Sequence, residues 1–312
     1  MIPVFSGRHV REAVSPERAL EAVRDAFVAY ARGAWTMPPK VYVPAYPAGD
    51  FRAMPALGAG HALLKWVTSF PGNPARGLPT VTGMVLLSDA TNGMPKAILD
   101  AAAVTALRTG AAAVLAAETL GRRDVATAAV VGAGVNGEAV AATFRARGHG
   151  VALWDIDENR TQEVAAQLGA RVASREEALA ADVVVTVTPG KEIVLGDGAL
   201  RPGQHASLMG ADGPGKQEIA VTELARVRVF CDDWEQASHN GDLVHAVEAG
   251  VLSRADVTQL GDVLAGTASG RVADDEITVF DSTGLAIQDL AIALAAVERV
   301  GELADLPRIK LS

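Results

Sequence analysis

The sequence predicts an α/β fold, a doubly wound parallel sheet joined to an α+β unit. Three observations carry this. The 312 residues exceed what one hydrophobic core usually organises, so two domains are expected. From about residue 120 onward, short apolar runs alternate with helical segments, the rhythm of βαβ units with right-handed crossovers. A glycine-rich loop, Gly132-Ala133-Gly134-Val135-Asn136-Gly137, joins one of those runs to the helix after it.

In chain order, Ser15–Arg32 reads as an amphipathic helix: Ser15-Pro16 supplies a cap and a proline at the first helical position, and Leu20, Val23, Phe27 and Tyr30 fall at helical spacing. Between Pro38 and Leu87, Pro and Gly recur around the strand-like runs Lys40–Val43, Leu63–Val67 and Val81–Leu87. Ala101–Leu120 is an alanine-rich helix with a stop at Leu120-Gly121. Then come the strand Ala126–Val131, the helix Gly137–Arg147, the strand Val151–Trp154, the helix Arg160–Leu168 and the strand Val183–Val187. His205–Leu208, Val227–Cys231 and Ile277–Asp281 add strands, and Leu285–Val300 is a helix. The expected division is 1–120, joined by a C-terminal helical segment 286–312, and 121–285.

Composition narrows the function. Nearly half the residues are apolar, enough for sizeable cores. The net charge of −9 and the absence of a dense Lys/Arg tract argue against a nucleic-acid partner. Ala101–Leu120 comes nearest to a membrane span, but Arg108 and Glu118 interrupt it, and Met1–Arg11 lacks the apolar core of a signal peptide. With one cysteine, Cys231, no disulfide forms within the chain, which fits a cytoplasmic setting. The six histidines show no zinc-binding spacing, so no metal is expected.

The glycine loop has a specific chemical reading. Glycines at 132, 134 and 137 suit a tight turn, close approach of a pyrophosphate to backbone amides, and close helix–strand packing. The helix N-terminus then offers partial positive charge to phosphates. Asp155 ends the next strand, 21 residues beyond Gly134, where an acid accepts from both ribose hydroxyls and repels a 2′-phosphate. No Arg or Lys follows at 156–158. The expectation is a Rossmann-type domain whose cofactor is NAD rather than NADP.

Motifs spread along the chain resemble one family, the ornithine cyclodeaminase/μ-crystallin family. They include Gly49–Ala56, Lys65-Trp66-Val67, Pro71–Pro74, Gly77–Val81, Thr105–Ala112, Gly210–Glu218 and Phe280–Gly284. Within the family, Gly49–Ala56, Gly210–Glu218 and Asp281–Asp289 are most similar to the archaeal-type alanine dehydrogenases. The resemblance implies NAD-dependent interconversion of L-alanine with pyruvate and ammonia. It also implies a homodimer whose N-terminal domains close a shared β-barrel. Members with other outcomes are ornithine cyclodeaminases, ketimine and pyrroline-2-carboxylate reductases, and the non-enzymatic dinucleotide binder that gives the family part of its name.

Such an enzyme must hold a carboxylate, present Cα to the nicotinamide and move protons at nitrogen. Arg52 is the candidate carboxylate clamp, because a guanidinium grips two oxygens at once. Ornithine cyclodeaminases carry an acid there, which suits a second amino group; Arg52 favours alanine. Lys65 lies in an otherwise apolar run, and the family's catalytic lysine matches it. Asp232 ends a strand at the carboxyl edge of the sheet, and the family places an acid there; Asp233 adjoins it as a rival. Lys65 and Asp232 are the catalytic pair expected, with Arg52, Lys65 and Lys40 on the substrate. Lys40 stands where many members have Arg, Asn136 where many have Gln and Gly137 where many have Ala. The cofactor set expected is Arg108, Thr109, Gly132, Gly134, Val135, Asn136, Asp155, Thr188 and Ser282. Retention of Arg52, Lys65 and Asp232 together argues against a mere binder.

Overall fold

A computed structural model describes residues 1–123 and 127–311. Ala126, the first residue of one expected strand, and Ser312, the last of the expected C-terminal segment, lie outside the described residues. The chain divides into two compact units, Met1–Arg108 with Leu285–Ser312, and Thr109–Gly284.

The first unit is α+β. Its sheet has the order Arg308–Ile309, Ile2–Phe5, Pro95–Asp100, Val81–Asp89, His61–Ser69, Gly49–Gly58, Val41–Ala45. Pairing is antiparallel except between Ile2–Phe5 and Pro95–Asp100. The strand Gly49–Gly58 was read from sequence only as a motif. Its Pro55 and small residues hide it, but Ala59 and Gly60, both at positive φ, close a two-residue turn onto His61–Ser69.

Alternation divides the faces of this sheet. Leu63, Lys65 and Val67 point to the buried side, while Leu64 and Trp66 are exposed. The helices Pro16–Ala31 and Ala286–Glu298 pack together, and the second lies against the three long strands. The first starts where Ser15 accepts from the Arg18 amide, with Pro16 behind it, and buries Leu20, Val23 and Phe27. The last helix stops at Glu298, short of the expected 312. Gly301 and Pro307 follow, and neither favours continuation, so the chain turns and adds the edge strand Arg308–Ile309.

The second unit is α/β. Its eight described strands run in the order Val257–Gln259, Arg228–Cys231, Thr278–Asp281, His205–Leu208, Val183–Thr186, Ala128–Val131, Val151–Trp154, Arg171–Val172. All pairs are parallel. Its central strands are buried on both faces, which is why they read as continuous apolar runs rather than alternating ones. The chain leaves Ala128–Val131 toward one edge and returns on its other side at Val183–Thr186. That reversal makes this a Rossmann-type doubly wound sheet, with a crevice where these two strands end. The helix Ala101–Leu120 has the length and apolarity of a membrane span, but most of its candidate span is buried within the fold.

Candidate active site

In the second unit, the expected residues gather at the carboxyl ends of the parallel strands. Gly132 follows Ala128–Val131 at φ 113°, and a side chain there would stand 2.6 Å from the Val187 carbonyl oxygen. The helix Val135–Ala146 begins at Gly134, which caps it with no side-chain hydrogen bond. By contrast, Ser15, Asp157, Ser174 and Asp233 each cap a helix with a side-chain oxygen. A Cβ on Gly134 would meet nothing within 4 Å. The helix therefore presents its first-turn amides at an open end, a cradle sized for phosphate oxygens. Val135 is exposed there and Asn136 is half-buried.

Asp155 stands just past Val151–Trp154. One carboxylate oxygen accepts from the Ala133 amide at 2.6 Å and the other from the Asp157 amide at 2.9 Å. The acid thus ties the loop to the neighbouring strand, and its remaining lone pairs suit a vicinal diol. Arg160 is the nearby cation, and Glu138, Glu163 and the Ala133 carbonyl engage it. These features fit the diphosphate and ribose of a dinucleotide.

Thr188 is positioned by an acid that sequence reasoning missed. Glu218 is wholly buried and accepts from the Thr188 amide and hydroxyl, the Thr186 hydroxyl and the Gly210 amide at 2.7–2.9 Å. It therefore ties the ends of two adjacent strands together. Burial raises its pKa against those hydrogen bonds. Asp242 accepts from the Glu218 and Ile219 amides; burial, with Glu218 nearby, pushes it up to about 8. Burial also raises Asp281, with Asp242 and Asp232 adding to the effect.

Asp232 is buried and accepts from the Gly284 and Asp233 amides at 2.8 Å and from the Ser282 hydroxyl at 3.1 Å. Thr283 also donates to it. Asp233 does different work, capping the helix Trp234–Asn240 through the Gln236 amide. The two acids that the sequence left as rivals are thus separated by their partners. Ser282 belongs to the turn that Asp232 holds. Thr109 is buried, and its hydroxyl makes no hydrogen bond.

In the first unit, the polar residues converge on the buried side of the antiparallel sheet. Lys65 is 1% exposed and donates to Asp289 at 2.8 Å. Asp289, on the helix Ala286–Glu298, is wholly buried, and Arg108 Nε lies 3.9 Å from the same carboxylate oxygen. Burial lowers the Lys65 pKa to about 8, Arg108 and Arg52 push it further down, and Asp289 opposes them. Arg52 is buried on Gly49–Gly58, two residues before Met54, the cross-strand partner of Lys65. Its Nε donates to Asp50 at 2.6 Å, and the guanidinium lies over the Tyr42 ring. Lys40 is half-buried just ahead of the strand Val41–Ala45.

Asp289 and Asp50 were not read from the sequence as site residues. A signal for Asp289 was present: it is the one acid among the ten buried residues of that helix. For Asp50 no pattern in the sequence distinguishes it from a turn residue. Among the described residues, no group of three His, Cys, Asp or Glu is arranged to hold a metal ion.

Comparisons with known proteins agree with this geometry. The model of the ornithine cyclodeaminase/mu-crystallin family matches residues 4–303. The alanine dehydrogenase of Archaeoglobus fulgidus is 41% identical over 305 residues, covering 95% of this chain and 94% of that protein. A solved archaeal alanine dehydrogenase dimer with bound NAD superposes with a TM-score of 0.94 at 40% identity, covering 100% of this chain and 99% of the other. The Δ1-pyrroline-2-carboxylate reductase of Thermococcus litoralis, solved with NADH and L-proline, gives 0.90 at 26% identity, covering 96% and 98%.

Proposed function

The chain belongs to the ornithine cyclodeaminase/mu-crystallin family, and from that footing we propose that it is an NAD-dependent oxidoreductase acting on L-alanine. The reaction is L-alanine + NAD⁺ + H₂O to pyruvate + NH₄⁺ + NADH + H⁺, and its reverse. The observation that carries the substrate assignment is Arg52, a buried guanidinium on the same sheet face as Lys65. A second amino group at the end of the substrate's side chain would meet the Arg52 and Lys65 cations there, whereas the side chain of alanine is an uncharged methyl.

Bound NAD supplies the hydride acceptor. It would be held by the glycine loop 132–137, by Asp155 on the adenosine ribose, and by Thr188 and Ser282 at the neighbouring strand ends, with Arg108 and Thr109 completing the set. Arg52 grips the substrate carboxylate and fixes which face of Cα is presented, with Lys40 beside it. Lys65 Nζ, with its pKa brought to about 8, takes a proton from the substrate ammonium near neutral pH and later returns one as ammonia departs. Asp232, the acid we assign to the substrate nitrogen, receives four donors from its own chain, and these fix the orientation of its carboxylate.

The exposed side of the antiparallel sheet carries Val41, Val43, Leu64, Trp66 and Met84. An apolar sheet face of this kind suits a second copy of the chain, and we assign a homodimer on it.

The deciding experiment gives the purified protein NAD with L-alanine, and separately with L-ornithine, and follows NADH absorbance and ammonia. NADH with alanine is expected. Ammonia and proline from ornithine with no net NADH would replace this assignment with a cyclodeaminase.

A further inference from the structure

We infer that Asp289 is the positioning residue of the site, holding the Lys65 ammonium in place and keeping it available as a proton carrier. The inference rests on the reading of Lys65 given above. The helix that bears Asp289 is otherwise built for packing: Ile287, Leu290, Ile292 and several alanines around it are buried. A leucine or methionine at 289 would continue that surface without desolvating a charge. A buried ion pair is a poor way to gain stability, because the cost of removing both ions from water offsets their attraction. This pair is also incompletely satisfied. The second oxygen of Asp289 and Arg108 Nε are buried and make no hydrogen bond. Arg108 Nε lies 3.9 Å from the paired oxygen, and polar groups left without a hydrogen bond beside the Lys65 ammonium mark this pair as a place kept for chemistry.

The charges around Lys65 define what Asp289 does. The charged groups that act on it are Asp289 from the last helix, Arg108 from Ala101–Leu120 and Arg52 from Gly49–Gly58. Burial and both arginines favour the neutral amine; Asp289 alone favours the ammonium. Without it, the Lys65 pKa would fall further and the amine would be a weaker proton acceptor. The single donor direction at 2.8 Å also fixes the rotamer of a long flexible side chain.

The chain has six lysines, so labelling the lysine ε-carbon with ¹³C gives a resolvable set in the full-length protein. The signal lost in Lys65→Arg identifies Lys65, and its midpoint is then followed against pH. In the wild type it is expected near 8. Asp289→Asn should move it down by about one pH unit or more, and Asp289→Glu should restore most of the shift. The alkaline limb of alanine turnover should move in step, which a merely structural role would not cause. An unchanged midpoint in a folded Asp289→Asn overturns the inference. So does a wild-type midpoint near the ordinary lysine value of about 10.4, which needs no variant to fold. If the midpoints move as stated while the pH limb of turnover does not, the proton-carrier reading of Lys65 fails and the pairing stands.

Discussion

Replacing Gly137 by alanine adds one methyl group at the narrowest point of the glycine loop. The methyl would stand 2.8 Å from the Gly132 carbonyl carbon and closer still to its oxygen. Neither is the free end of a side chain, so the loop backbone must retreat. Two hydrogen bonds hold that backbone: the Gly132 amide to the Trp154 carbonyl, and the Ala133 amide to Asp155. Overpacking of this kind costs about 1–3 kcal/mol. Alanine inside a helix returns about 1 kcal/mol over glycine. The net expectation is a loss of roughly 0–2 kcal/mol in urea unfolding, and weaker NAD binding because the displaced amides no longer converge. Gly134→Ala is the matched control, since its methyl enters open space at the helix N-terminus. It should cost less than about 1 kcal/mol of stability as a poorer cap. Its NAD dissociation constant should nonetheless rise about tenfold or more, equivalent to about 1.4 kcal/mol, because the methyl occupies the phosphate's place. Calorimetric titration with NAD beside urea melts reads both quantities. A Gly137→Ala protein that gains the full helix-propensity increment and binds NAD unchanged would refute the packing argument.

Other outcomes follow from the same geometry. Lys65→Ala should abolish alanine turnover and leave NAD affinity within about threefold, a change under about 1 kcal/mol; loss of NAD binding would show that Lys65 serves the cofactor instead. Asp155→Ala removes a charged acceptor worth about 1.5–3 kcal/mol, so the preference for NAD over NADP should shrink by at least about tenfold, and an unchanged ratio of dissociation constants would count against Asp155. His205 is wholly buried between Thr278 and Ser207, and burial depresses its pKa to about 3. Below pH 6.5 the unfolded chain takes up a proton that the folded chain refuses, so stability falls as pH drops, by up to about 1.4 kcal/mol per unit. The unfolding free energies of wild type and His205→Asn should therefore approach each other by about 1.6 kcal/mol between pH 6.5 and 5; parallel curves would contradict this.

The local order of this protein was largely legible in its sequence. The parallel strands of the second unit announce themselves because both of their faces are buried, so Ala128–Val131 and Val183–Thr186 are unbroken apolar runs. The glycine loop is legible for a related reason: the backbone closes tightly on Gly132 and Gly137, and Asp155 follows at the spacing that one βαβ crossover imposes. Lys65 stood out as a charge in an otherwise apolar run, and Arg52 through the resemblance to the family.

What tertiary structure decided is which charges meet. Lys65 and Asp289 are 224 residues apart, and Asp232 lies about fifty residues from the turn it holds. No local pattern encodes such pairs, because their partners are chosen by how helix and sheet faces come together. The partners of Asp232 and Asp233 were decided the same way. Adjacent residues on an extended backbone point to opposite sides, so one faces Ser282–Gly284 and the other caps a helix. The sequence by itself determined most of the elements and singled out Lys65 and Asp232 as candidates. The fold determined that Lys65 loses its water and gains Asp289, and burial lowers its pKa to about 8 while that counter-ion opposes the shift.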